Sequence, residues 1–329
     1  MNIPFFNYSF LYKSKENDFN KIINDVCSRG AFILQKDLDE FEENLKNFIG
    51  IKYAVGVANG TDAIWLALLA AGIGNGDEVI FASHTYIATA GAIKFVGATP
   101  IPADCREDHM IDPKSVEKLI TGKTKAIVPT QLNGRCCEMD ALLEIAKNNN
   151  LIIIEDAAQG LGAKYKGNGI GTFDKGGTIS FYPAKNLGSF GDAGAFVTND
   201  KAMYDKVKLL RDHGRDESGK FVSWGFNSRL DNLQAAILNF KLTYYNDEIN
   251  RRREIAAIYH KELSKIKQLY LPPSPDASDD YFDVYQNYEI EAENRDQLKS
   301  FLSDNGIGTL IQWNGQAVHS ITELGFSGN

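Results

Sequence analysis

Asp156 and Lys185 are the side chains with the most distinctive chemical settings in this 329-residue chain. Asp156 directly follows the run Leu151-Ile152-Ile153-Ile154-Glu155, where a strand of an α/β sheet would end. Active sites of such sheets lie beyond the carboxyl ends of their strands. A carboxylate there can hold a protonated ring nitrogen and keep a bound heterocycle acting as an electron sink. Taken alone, Asp156 reads more simply as the N-cap of the following Ala-Ala-Gln-Gly. Lys185 stands in Ser180-Phe181-Tyr182-Pro183-Ala184-Lys185-Asn186-Leu187-Gly188, a strand running into a glycine-rich turn. A lysine among Pro, Leu and Gly is costly to bury as a cation, so it suggests an amine whose charge is removed by imine formation. A surface lysine in a loop is the plain alternative. The third feature is Asn59-Gly60-Thr61-Asp62, where glycine and a hydroxyl residue meet the start of an apolar helix. Free N–H groups and the helix dipole there suit a phosphate, with Ser180 able to add a hydroxyl, although an ordinary N-cap has the same sequence.

The elements that must position these residues follow from hydrophobic patterning. Between about Lys52 and Thr198, short runs rich in Val, Ile and Ala (YAVGVA, DEVIFAS, TKAIVPT, LIIIED, GTISFYP, GAFVT) alternate with longer helical patterns. This rhythm predicts a mostly parallel sheet covered by helices. A helix is expected from near Asp37, with Glu40 in the capping-box position and Leu38, Phe41, Leu45 and Phe48 on one stripe. Thr61 to Ala71 is apolar nearly all round and stops at Gly72, which predicts a buried helix with a glycine at its end. Beyond Thr198 the chain turns helical, and a long helical pattern from Asp231 to Leu263 is expected to contain the domain boundary. A large domain over 1–245 and a small α+β domain over 246–329 are expected. In the latter, LPPSPDASDD reads as a loop, YFDVYQNYEIEA as a strand, RDQLKSFLSDNG as a helix and GTLIQW as another strand.

Composition narrows the classes of function. A net charge of -8 with no long Lys/Arg tract argues against general binding to nucleic acid or to an anionic membrane. No run approaches membrane-span length and the first residues lack a secretory pattern, so a cytoplasmic location is expected. Without such a signal, the glycosylation-like Asn7-Tyr8-Ser9 carries no meaning. Cys27, Cys105, Cys136 and Cys137 form neither a disulfide framework nor a CxxC pair, and reduced thiols and no metal site are expected. Gly122-Lys123-Thr124 resembles the end of a phosphate loop, but Glu117 stands where its leading glycine is required, and GIGNGD is not a dinucleotide fingerprint.

Taken in order, YAVGVANGTDAIWLALLAAGIGNGDEVIFASHTYIATAGAI, LIIIEDAAQGLGAKYKG, GTISFYPAKNLGSFGDAGAFVTND and GFNSRLDNLQAAIL resemble the DegT/DnrJ/EryC1/StrS family of sugar aminotransferases. The resemblance spans nearly the whole chain. It implies an aspartate-aminotransferase-like (fold type I) large domain with a mostly parallel seven-stranded sheet, and pyridoxal 5'-phosphate as cofactor, passing through the pyridoxamine form. Lys185 matches the lysine that carries the cofactor as a Schiff base and then shuttles the proton, and Asp156 matches the partner of the pyridine nitrogen. Tyr86 matches the aromatic residue stacked on the ring, and Gln159 the residue beside the ring hydroxyl. Gly60, Thr61 and Ser180 match the phosphate cup, to which Asn227 would come from the neighbouring subunit of a homodimer with shared active sites. Histidine replaces the lysine in the dehydratase branch of the family, so Lys185 argues for amino transfer.

The implied reaction moves an amino group from glutamate to a nucleotide-linked keto-6-deoxyhexose. The stretch Gly308 to His319 is similar to that of dTDP-3-keto-6-deoxyhexose 3-aminotransferases, which favours C3 over C4 of a dTDP-, UDP- or GDP-linked sugar. Phe32, Tyr182 and His319 are candidate sugar contacts; each also reads as ordinary packing or a satisfied loop residue. A non-catalytic regulator on the same scaffold is the rival, and it predicts loss of Lys185 or Asp156. Members of the family commonly run some tens of residues further, so the small domain is expected to be incomplete.

Overall fold

The computed structural model describes residues 2–326; Met1 and 327–329, the end of the expected small domain, lie outside the described residues. Six short strands carry the apolar runs of the first half: β1 (Tyr53–Val57), β2 (Glu78–Ala82), β3 (Thr99–Ala103), β4 (Thr124–Val128) and the pair β5 (Ile152–Ile153) and β6 (Glu155–Asp156), which Ile154 separates. After the small hairpin β7 (Lys164–Tyr165) and β8 (Asn168–Gly169) come β9 (Gly177–Ser180) and β10 (Gly194–Thr198). Two ladders result, in the orders β3-β2-β4-β5 and β1-β10-β9-β6. They meet at residues 152–156, where the Ile154 and Asp156 amides donate to Ile127 and Pro129 on one side and those of Glu155 and Ala157 donate to Gly176 and Thr178 on the other. All pairs are parallel except those of β10, which runs against both β1 and β9. The carboxyl ends of β1, β2, β4, β6 and β9 therefore share one edge of the sheet. Burial on both faces explains their Val/Ile-rich runs: Val79, Ile80, Phe81, Ala126, Ile127, Val128, Ile153 and Ile154 are 0% exposed.

The helices that cover the sheet are α1 (Tyr8–Lys13), α2 (Glu16–Arg29), α3 (Lys36–Ile49), α4 (Gly60–Ala70), α5 (Ile87–Phe95), α6 (Pro113–Leu119), α7 (Met139–Asn148), α8 (Lys201–Leu210), α9 (Asn232–Leu242), α10 (Tyr245–Leu263) and α11 (Arg295–Asp304). As predicted, α4 is sunk in the core, with Asn59 capping its start and Gly72 (φ +83°) past its end. Helix α3 buries Leu38, Phe41 and Leu45 as its pattern predicts, but the expected capping box is absent. The helix begins at Lys36 after Gln35, because the Asp37 carboxylate is engaged by Arg29 at 2.9 Å and Asn232 at 2.6 Å. The long helical pattern from Asp231 to Leu263 breaks at Thr243–Tyr244 into α9 and α10.

Two expected strands of the C-terminal part do not form as continuous elements. The segment expected as one strand over 281–292 splits into β12 (Tyr281–Phe282), which pairs with β7, and β13 (Glu291–Ala292), which pairs with β11 (Leu269–Tyr270). Tyr285 between them sits at φ +50°, a left-handed conformation that no regular strand contains. Its neighbours are held by other partners: the Val284 amide donates to Gly134 and Arg253 donates to the Asp283 carbonyl. The expected strand GTLIQW is irregular and ends in a 3₁₀ turn at Gln312–Gly315, where Trp313 and Asn314 have φ of 47° and 58°. Its first amide, that of Gly308, donates to Ile3 near the N-terminus.

Candidate active site

The shared carboxyl edge of the sheet gathers most of the predicted residues. Asp156 ends β6 and is 5% exposed. Its Oδ2 accepts from the Thr89 hydroxyl at 2.6 Å and its Oδ1 from the Ala158 amide at 3.2 Å. No helix follows it, so the N-cap reading of Asp156 fails. Burial pushes its carboxyl above the usual carboxylate range, while Thr89, the Ala158 amide and the charge of Lys185 pull it back. Lys185 shows the mirror effect: burial lowers its amine, and Asp156 opposes the shift. Each group thus senses the other, and the ammonium is easier to deprotonate than one in water. Such a lysine is suited to imine chemistry and proton transfer.

The loop carrying Lys185 is built to hold it. The Lys185 amide donates to the Tyr182 carbonyl at 2.8 Å. Gln286 brackets the lysine, accepting from the Asn186 amide at 2.7 Å and donating to the Ala184 carbonyl at 2.8 Å. The Lys241 ammonium, itself 7% exposed, donates to the Gly188 carbonyl. A Cβ on Gly188 would lie 2.4 Å from the Pro183 carbonyl oxygen, so the turn closes only around glycine. Gln286 and Lys241 were invisible to motif reading because they lie far along the chain from Lys185.

The anion site is equally tight. The amides of Gly60 and Thr61 open α4 and have no intrahelical partner, while Asn59 satisfies the next one, that of Asp62, at 2.8 Å. A Cβ at Gly60 would stand 2.7 Å from the Cβ of Ser180, so glycine is what lets the end of β9 and the start of α4 touch. Ser180 and these amides therefore form one cradle of hydroxyl and N–H donors, which fits a phosphate. Together with a carboxylate for a ring nitrogen and a deprotonatable amine, the donor set fits pyridoxal phosphate.

The remaining predicted residues fall in different places. Tyr86 immediately precedes α5 on the same edge and is 57% exposed. Gln159 uses its Oε1 to accept from the Asn133 amide at 2.8 Å, which leaves its Nε2 as a donor. His319 lies in the turn Val318–Ser320, joined to the edge by the Val318 amide donating to Ser83, and its Nδ1 is buried without a partner among the described residues. Tyr182 and Phe32 are exposed at 52% and 53%. Asn227 is exposed and pairs through its backbone with Asp212, contacting none of these groups; Phe221 and Trp224 beside it are 73% and 96% exposed. Lys185 also lines a cleft of about 1970 Å³, shared with His84, His109, Glu289 and Gln312.

His84, His109 and Glu289 place potential metal-ligand atoms within 4.8 Å of one another, a convergence that sequence reading missed. Both nitrogens of His109 face carboxylates, Nδ1 at 3.2 Å from Glu289 and Nε2 at 2.7 Å from Glu291, so both donate protons. A ring in that state has no lone pair for a metal. The cluster is an ion pair tying the C-terminal part to the loops after β2 and β3.

The profile of the DegT/DnrJ/EryC1/StrS aminotransferase family matches residues 13–323. The chain belongs to this family. It is 40% identical over 312 residues to the dTDP-3-amino-3,4,6-trideoxy-alpha-D-glucose transaminase of Streptomyces venezuelae, covering 94% of this chain and 82% of that protein. It is 38% identical over 315 residues to a protein of Geobacillus stearothermophilus named as a pleiotropic regulatory protein, covering 95% of this chain and 84% of that one. Its fold superposes with a TM-score of 0.94 on the crystal structure of S. venezuelae DesV in complex with a ketimine intermediate, at 39% identity, over 98% of this chain and 87% of DesV. The family member is a pyridoxal phosphate-dependent aminotransferase of fold type I.

Proposed function

We propose that this aminotransferase moves an amino group from glutamate to C3 of a dTDP-linked 3-keto-6-deoxyhexose, with Lys185 and Asp156 as its catalytic pair. The observation that carries the reading is the mutual charge effect of Lys185 and Asp156 beside the Gly60–Ser180 cradle, in a chain 40% identical to a dTDP-3-amino sugar transaminase. Bound pyridoxal phosphate supplies the electron sink. The Lys185 amine moves a proton between the amino-acid α carbon and the cofactor, a task its lowered basicity serves. Asp156 holds the proton of the ring nitrogen, the free Nε2 of Gln159 donates to the ring hydroxyl, and Tyr86 covers the ring face. Gly60, Thr61 and Ser180 bind the phosphate.

Asn227 completes that phosphate site from a second copy of the chain. Its place on a surface with exposed Phe221, Val222 and Trp224 supports a homodimer with shared sites. Phe32, Tyr182 and His319 contact the sugar. A regulator without catalysis would have no use for an amine and a carboxylate held in this state. Incubating the protein with cofactor, glutamate and a panel of 3-keto and 4-keto nucleotide sugars, with the product analysed by NMR, tests the reading. A C3-amino sugar is expected; a product aminated at C4 would overturn the position.

A further inference from the structure

Behind Asp156 lies a row of three buried hydroxyls that no step of the amino transfer has used. Thr130, after β4, is 5% exposed, Thr85, after β2, is 1% exposed, and Thr89, in the first turn of α5, is 0% exposed. The Thr130 hydroxyl donates to Thr85 at 2.9 Å, Thr85 and Thr89 are 3.0 Å apart, and Thr89 donates to Asp156 at 2.6 Å. A hydroxyl has one proton to give. Because Thr89 gives its proton to the carboxylate, its oxygen can only accept from Thr85, and Thr85 in turn can only accept from Thr130. Every proton in the row therefore points toward Asp156. Hydrogen bonds aligned in this way polarise one another, and the last bond, to a charged acceptor, is the strongest.

We propose that Thr130, Thr85 and Thr89 are positioning residues, a one-way hydroxyl relay that fixes the orientation of the Asp156 carboxylate and keeps it ionised for the ring nitrogen of the cofactor. The inference rests on the assignment of Asp156 to that nitrogen. The need for the relay is physical: the carboxylate is buried, and the charged group that bears on it, Lys185, is one whose own charge is removed when it reacts. Three strands of the sheet edge contribute, β2 and β4 through the loops that follow them and β6 through Asp156 itself, so the row also ties these loops together.

The test uses the full chain carrying Thr89→Val, Thr89→Ser, Thr85→Val or Thr130→Val, with Asp156→Asn as reference. Two quantities are read: the dissociation constant for pyridoxal phosphate, and the titration of the Asp156 carboxyl in cofactor-free protein, followed by ¹³C NMR. Thr89→Val is nearly isosteric but leaves Oδ2 without its donor, and on the order of tenfold weaker cofactor binding is expected. Its carboxyl should titrate about one pH unit higher, because a hydrogen bond to the charged form is lost. Thr85→Val and Thr130→Val should move both quantities in the same direction by successively smaller amounts, and Thr89→Ser should stay near the native values. The relay is overturned if Thr89→Val stays within roughly twofold of native with an unmoved titration, since loss of a charged hydrogen bond exceeds that. It is overturned equally if Thr89→Ser is as impaired as Thr89→Val, which would make the methyl group the important part. Should Thr89→Val fail to fold, unmoved values in both Thr85→Val and Thr130→Val overturn it. If Asp156→Asn binds the cofactor as tightly as the native chain, the assignment of Asp156 fails instead, while the NMR titration still reports on the relay alone.

Discussion

His109 has both ring nitrogens against carboxylates, and the hydrogen bond it donates to Glu289 is the main reason its pKa rises from 6.5 to about 9. Glu289 is held down from 4.5 to about 2; burial acts the other way, and its hydrogen bond with His109 and the nearby His84 ring outweigh it. For the histidine, whose folded pKa is raised, the stabilisation is complete below pH 6.5 and is lost as pH rises through about 9. For the glutamate, whose folded pKa is depressed, it is complete above pH 4.5 and is lost as pH falls toward about 2. Melting temperature should therefore fall between pH 6.5 and about 9 more steeply in the native protein than in His109→Asn. Equal slopes in the two proteins would show that the pair contributes nothing to stability. Neither histidine stood out in the sequence, because the glutamate that binds them lies some 180 residues further on. By contrast, Asp156 and Lys185 were legible because Asp156 ends a strand and Lys185 stands in the turn that follows one, each strand marked by its apolar run.

Elements were legible in proportion to their length and burial. Helix α4 and strands β1, β2, β4, β9 and β10 follow their apolar patterns, since burial on both faces leaves one arrangement for a run of Val, Ile and Ala. The segments over 281–292 and 308–313 carry alternating or apolar residues too, yet they break at Tyr285 and Trp313, whose backbone is left-handed and which meet distant residues, Arg252 at the Tyr285 carbonyl and His84 at the Trp313 ring. Periodicity has no access to such partners. Long-range contacts also hold the Lys185 loop. Gln286 is 8% exposed and bonds the amide of Asn186 and the carbonyl of Ala184, so Gln286→Leu leaves one buried and one half-buried backbone group unpaired. A loss of about 2 kcal/mol in urea unfolding is expected from two such bonds, and a change below about 0.5 kcal/mol would mean that the loop is held by other means. Covalent capture of the cofactor should slow in the same variant.

At the scale of the whole molecule, the acidic balance and the active site are separate matters. The net charge of -8 leaves phosphate recognition to the local cradle at the start of α4, where backbone amides and one serine do what a basic surface does elsewhere. Among the described residues, no helix is long and apolar enough to cross a membrane. The sequence order of the sheet, with β10 alone antiparallel, brings five strand ends to one edge, and the C-terminal part reaches that edge through Gln286, Glu289 and Val318. What the chain's own patterning could not supply was this last set of contacts, because they join segments that share no local signal.

The measurement that bears most directly on the account is the site of covalent attachment. The protein is incubated with pyridoxal phosphate, its visible absorption band is recorded, borohydride is added, and the labelled peptide is identified by mass spectrometry in the native chain and in Lys185→Ala. A reducible band with the label on Lys185, absent from Lys185→Ala, is the predicted result. A native chain without the band, or a label that persists on another lysine in Lys185→Ala, would contradict it.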